Sequence, residues 1–400
     1  MEHETLLSAY IESLKHDNDL DHKNGDTEAS TKACKKDKRW TRKYLGLCIS
    51  LCVVSVLIGF LGSRLLQRTI SNALKTNSES ATEICQAPSI RREWRSLSEF
   101  EKDTYTDAVL CLRTKPSRIG MNHTLWDDFP YVHFQSNDDI HFAAPFLTWH
   151  RYLIHTYHQA LVTECGYNGE LPYWDWTLDW QNLSAAPVWD LEHGFSGNGH
   201  ESSEPSALFP RSHCIEDGPF ANVNVSLAGA TYAPHCLTRD FGSFRHEPVA
   251  SLSQHLRPSA IEALMEEDDY YKFLLKFEDG AHIAIPKFIM GDFHLFTSPN
   301  GRCFQFFLTV LLTFLKMENS STDALVDPIF FLHHGQIDRI WWRWQQHNLQ
   351  QRQYRYTGSF KPRSKEQANF DDIVSIGGLA PDIKASELLN VRSGIFCYTY

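Results

Sequence analysis

Tyr131–Leu161 reads YVHFQSNDDIHFAAPFLTWHRYLIHTYHQAL, and Asp327–Gln345 reads DPIFFLHHGQIDRIWWRWQ. The first stretch carries His133, His141 and His150; the second carries His333 and His334. Imidazole is neutral near pH 7 and keeps a ring nitrogen available, which makes it the commonest metal ligand. Three histidines within 18 residues, the last flanked by Trp149 and Arg151, do not fit a solvated helix face. The spacing lets two helices and the loop between them aim three imidazoles at one point. A metal centre is the first expectation from this chain.

The surrounding sequence sets the frame. The 400 residues suffice for one large domain or two ordinary ones, with a sizeable core. The 25 Phe, 15 Tyr and 11 Trp suit a helical interior with a buried aromatic pocket. A net charge of −11 argues against nucleic acid as a partner. A basic cluster (Lys32, Lys35, Lys36, Lys38, Arg39, Arg42, Lys43) directly precedes the uncharged run Tyr44–Ser63. Twenty such residues can cross a bilayer as a helix. The expected organisation is a polar tail over 1–43, a transmembrane anchor over 44–64, a stalk over 65–84 and a compact metal-binding domain over 85–400. Basic residues on the N-terminal side keep that end cytoplasmic, so the domain would face a lumen or the exterior. Sequons at Asn122, Asn182, Asn224 and Asn319 lie on that side. So do seven cysteines, whose pairing is not readable from sequence.

Apolar spacing predicts a helix capped by Ser96 or Ser98, a second over Trp149–Glu164, a third over Ser259–Phe277 entered by Arg257-Pro258, and a fourth over Ile337–Gln350. Residues 182–245, rich in Gly, Pro, Ser and Asn, read as long loops. Few alternating strands occur, so the class is mainly α.

HFAAPFLTWHR (141–151), followed by ECGYNGELPYWDW (164–176), resembles the first metal-binding half of the tyrosinase and hemocyanin superfamily; Asp327–Arg339 resembles its second half. RREWRSLSEFEKDTYTDAVLCL (91–112) resembles the opening of fungal members, and Tyr398-Thr399-Tyr400 resembles their domain end. The resemblance implies a tyrosinase-like helical bundle with a central metal site and long loops, in which three histidines bind each of two coppers. Carried over by position, His133, His141 and His150 form site A, with Phe146 and Trp149 packed around it and Arg151 following. His158 departs from the pattern, since the family usually has glutamate there.

Site B departs further. The family pattern places His-X3-His on one helix, where positions i and i+4 share a face. Here the segment is GAHIAIP (280–286), followed by Gly291-Asp292. Aligned on Gly-Asp, His282 takes the first ligand position, Pro286 the second, and His334 the third. Proline has no lone pair to give a metal and is expected to break the helix. His333 is read as hydrogen-bond support for the ligands. His294, or a register pairing Glu278 with His282, are the weaker routes to a replacement donor. A 26-residue run over 301–326 separates SPN from DPIFF, which relatives join directly; it reads as an insertion or as translated intron.

With site B short of a donor, the expectation is one ion on three histidines with an open fourth position, which suits zinc, with copper as the alternative. Fungal cyclopenases combine such features. That resemblance implies a non-oxidative lyase of secondary metabolism, contracting a cyclopenin-type benzodiazepinedione to a viridicatin-type quinolone. Glu278 and Asp279, one turn before His282, are the candidate acid–base residues. Phe146, Trp149 and Phe330 are candidates for a pocket around a small aromatic substrate. A dinuclear copper phenol oxidase and a non-catalytic binding protein are the alternatives.

Overall fold

Ser98 accepts the backbone N–H of Glu101 at 3.3 Å, and the Glu101 carboxylate accepts that of Ser98 at 2.9 Å. This reciprocal cap starts helix α1, Glu99–Leu112. Asp127 plays the matching part for α2, Leu125–Ile140, accepting from the Thr124 N–H at 3.1 Å and hydroxyl at 2.7 Å. Helix α2 stops at His141, whose backbone is extended, and Phe142 turns the chain with φ 51°. Pro145 opens α3, Pro145–Cys165, where its missing N–H is no loss. Gly166 closes α3 in the left-handed conformation at φ 69°. Helix α3 is buried over most of its length and packs against α1, α2 and a later helix, so it forms the axis of the domain.

The computed structural model describes residues 85–199, 213–228, 231–244, 247–293 and 327–400. The anchor over 44–64 with its tail and stalk, His294, Cys303, Asn319 and the run 301–326 lie outside the described residues. Among the described residues, no helix is long and apolar enough to cross a membrane.

Beyond α3 the chain forms short 3-10 turns and a hairpin, Asn224–Ala228 against Thr231–Cys236, inside the stretch expected to be loops. It then forms α4 (Val249–Gln254), α5 (Pro258–Met265) and α6 (Tyr270–Phe277). The single helix expected over 259–277 is therefore two, divided where Asp269 caps α6 by accepting the Lys272 N–H at 2.8 Å. A π turn, Glu278–His282, leads into α7, Ile283–Ile289. Pro286 lies inside α7 and does not break it, contrary to expectation. The Ile283 N–H reaches back five residues to the Glu278 carbonyl, so the wider π turn precedes the proline in place of the regular ladder that it would disrupt. Helix α8, Ile329–His347, begins eight residues earlier than the apolar spacing suggested and packs against α3.

The strands are short and occur in four pairs among the described residues, so the mainly α expectation holds. One pair matters for closure. Ser89–Ile90 runs parallel to Tyr398–Thr399, beside the Cys85–Cys397 disulfide. Cys111–Cys165 ties α1 to the end of α3, and Cys214–Cys236 holds the hairpin.

Two buried carboxylates fix the helices. Asp338 on α8 receives Arg151 of α3 at 2.5 Å, Arg91 at 3.2 Å, and the hydroxyls of Tyr398 at 2.7 Å and Tyr400 at 2.5 Å. The Arg151 guanidinium also lies 3.6 Å from the ring centre of Trp341. Asp327, at the entry to α8, takes both arms of Arg239 at 2.7 and 2.9 Å. Each of these buried arginines is thus paired, as burial of charge requires.

Candidate metal centre

The structure brings His133, His141 and His150 together, all buried, with their ligating atoms within 4.8 Å of one another. His133 comes from α2, His141 from the loop after it, and His150 from α3, the two-helices-and-loop arrangement that the spacing suggested. His150 Nδ1 donates to the Phe146 carbonyl at 2.7 Å, and His141 Nδ1 to the Asn137 carbonyl at 3.2 Å. Those bonds fix the tautomers and leave Nε2 as the free donor on each ring. The Nε2 atoms of His133 and His150 face each other at 3.0 Å.

A second group consists of His282, His333 and His334, likewise buried and within 4.8 Å. His282 ends the π turn, and the other two lie on the second turn of α8. The two groups adjoin. The His150 and His334 rings stack with centres 4.3 Å apart and planes 9° apart, while His141 lies 5.9 Å from His282.

These six rings fit metal ions. All are held neutral: burial pushes each below the usual histidine range, and for His133, His150, His282 and His334 the neighbouring imidazoles push further. His141 falls to about 4 and His333 to about 3, both chiefly through burial. His133 Nδ1, His282 Nδ1, His334 Nδ1 and both nitrogens of His333 are buried with no partner in hydrogen-bonding geometry. Leaving such a group unsatisfied costs about 1–3 kcal/mol. Metal coordination is a physical account of why converging, unsatisfied nitrogens persist in one core.

Aromatic rings line the cluster. Phe146 lies 4.8 Å from His150 and 4.9 Å from His282; Phe330 lies 4.2 Å from His334 and 5.6 Å from His133. Trp149 lies 5.5 Å from His133 and is anchored by its N–H on the Ser375 carbonyl at 2.9 Å. All three expected pocket residues therefore touch the centre.

The remaining candidates divide. Glu278 is fully buried, and one carboxylate oxygen accepts the Phe142 N–H at 2.7 Å while the other has no partner. Burial raises its carboxyl well above the usual range, against the pull of the Phe142 N–H. Asp279 is exposed on the same turn. Pro286 is half-buried and belongs to neither histidine group. His158 Nε2 lies 2.9 Å from the Gly169 carbonyl, and the residue also stands outside both groups. His123 pairs with Asp128 at 2.8 Å. His155 is half-buried against Phe396, 5.0 Å away. Sequence reading missed His333 as a member of the second group, and the link from Glu278 to the loop behind His141.

The family description "Common central domain of tyrosinase" matches residues 121–347. The chain is 36% identical over 341 residues to tyrosinase-like protein phomQ1 of Diaporthe leptostromiformis, covering 81% of this chain and 80% of that one. It is 35% identical over 316 residues to tyrosinase ustQ of Aspergillus flavus, covering 79% and 80%. Among solved structures, a point mutant of a polyphenol oxidase from Thermothelomyces thermophila superposes with a TM-score of 0.59 at 25% identity, covering 84% of this chain and 94% of that one.

Proposed function

The chain belongs to the tyrosinase family, and on that footing we propose that it is a copper-dependent oxidase of a small phenolic compound. One observation carries the reading: two groups of three buried histidines adjoin through the His150–His334 stack. Imidazole donors suit copper. The names of the relatives, a tyrosinase and a polyphenol oxidase, point to phenols as the substrate class. Copper, when bound, supplies redox chemistry with oxygen. The chain's own residues do the rest. His133, His141 and His150 would hold one ion, and His282 with its neighbours on α8 the other. Phe146, Trp149 and Phe330 offer apolar faces for an aromatic ring and keep water from the histidines. Glu278, buried with one free oxygen and raised basicity, is the candidate to take the phenolic proton. Asp279, being exposed, is not in a position to share that role.

The zinc lyase expectation depended on a second half short of a donor. His333 supplies a third imidazole there, so that shortage no longer favours a single ion. Oxygen separates the two readings. The full chain, loaded with copper and given a catechol, should consume one O2 for every two catechols, yielding two quinones and two waters. No uptake with any phenol, together with turnover of a cyclopenin-type substrate by the zinc-loaded chain under argon, would restore the lyase.

A further inference from the structure

We propose that His333 supplies the third nitrogen of the second metal site, replacing the donor that Pro286 cannot be. The inference rests on the two-copper reading and identifies how this chain completes it. On a regular helix an i, i+4 pair would present residues 282 and 286 to the ion. Position 286 is a proline, whose nitrogen is bound into the backbone amide and has no lone pair to give.

His333 occupies the place where the missing donor is needed. Its ring lies 5.4 Å from His282, with planes 25° apart, and 5.2 Å from His334. Adjacent residues on a helix point about 100° apart. His333 and His334 can therefore share one ion only if it lies between their directions, on the side from which His282 approaches. The ligating atoms of all three lie within 4.8 Å of one another.

The supporting role usually given to such a neighbour is not filled here. A supporting imidazole acts through hydrogen bonds made by its ring nitrogens. His333 is fully buried, and neither of its nitrogens has a partner in hydrogen-bonding geometry. The His282 backbone lies near the ring but outside hydrogen-bonding geometry. Its other close neighbours are Phe293 at 5.9 Å and Trp176 at 6.5 Å, rings that offer no acceptor.

Metal counting on the full chain tests this. The wild type should bind two coppers, and His333→Phe, which fills the space without a nitrogen, should bind one. Adding Pro286→His to His333→Phe should restore the second by returning a donor to the helix. His333→Phe retaining two coppers at wild-type affinity overturns the proposal, and so does a wild type that binds only one. If His333→Phe does not fold, a copper-edge anomalous map of the loaded wild type decides. A His333 nitrogen at bonding distance supports the assignment; a second copper held without it overturns it. A chain that holds two coppers on these donors yet oxidises no phenol loses the oxidase reading and keeps the donor assignment.

Discussion

The imidazoles of His150 and His334 lie face to face, 4.3 Å between centres, although they are 184 positions apart and belong to different histidine groups. The contact joins α3 to α8 and links the two histidine groups. His150→Ala removes one donor from the first group and the stacking surface from the second. We expect at most one copper per chain and a loss of catechol oxidation of about 100-fold or more, beyond the 10–100-fold typical of losing an outer hydrogen-bond partner. Copper content and oxygen uptake measure the two effects separately.

Asp338 carries the charge that lets Arg91 and Arg151 be buried. Removing it in Asp338→Ala leaves both guanidinium groups unpaired and should destabilise the domain by about 3–5 kcal/mol, read from chemical or thermal unfolding. Burial works against the ionised carboxyl, but Arg151, Arg91 and the two tyrosine hydroxyls overcome it, so its pKa is lowered in the fold. A lowered carboxyl pKa contributes stability above the unfolded value of about 3.9, and loses it as pH falls through the folded value. The gap in Tm between wild type and Asp338→Asn should therefore be constant from pH 7 to about 5 and shrink below about 4.

Glu278→Gln keeps an oxygen that can accept from Phe142 but cannot take a proton. Copper content should be unchanged, while kcat falls about 10²–10⁴-fold with little change in KM. Glu278→Ala also strands the Phe142 N–H, and should lose about 1–3 kcal/mol of stability that the glutamine variant retains. Equal kcat in wild type and Glu278→Gln would assign the residue to holding the Phe142 turn alone.

Asn122, Asn182 and Asn224 are all exposed, and three cysteine pairs have Cα separations of 5.6, 5.9 and 5.6 Å, within the normal disulfide range. Both features suit an oxidising lumen, the side on which the basic cluster before residue 44 would place the domain. Endoglycosidase treatment of the natively expressed chain should lower its mass, and Asn→Gln at each of the three positions should remove one step. A chain that leaves the host without glycan contradicts that topology.

The first histidine group was legible because its residues are near in sequence and their spacing matches helix, loop and helix. Ser98 as the α1 cap and the aromatic residues around the centre were legible for the same local reason. His333 was not. A sequence pattern assigns one role to each position, and only packing α8 against the π turn brings a neighbouring imidazole beside His282. Pro286 misled in the opposite direction, because its cost depends on the hydrogen-bond ladder of the turn before it, which here is π. The hairpin over 224–236 was hidden by Pro234, Asn224 and Gly229, which read as loop when strand pairing is unknown. Disulfide partners 312 residues apart, as in Cys85–Cys397, leave no local trace at all.

That last bond makes the domain a covalent ring. One backbone cut anywhere from residue 86 to residue 396 opens the ring without separating its pieces. A protease that nicks such a molecule leaves both histidine groups on one particle, and the break shows on a gel only after a thiol reductant has been added.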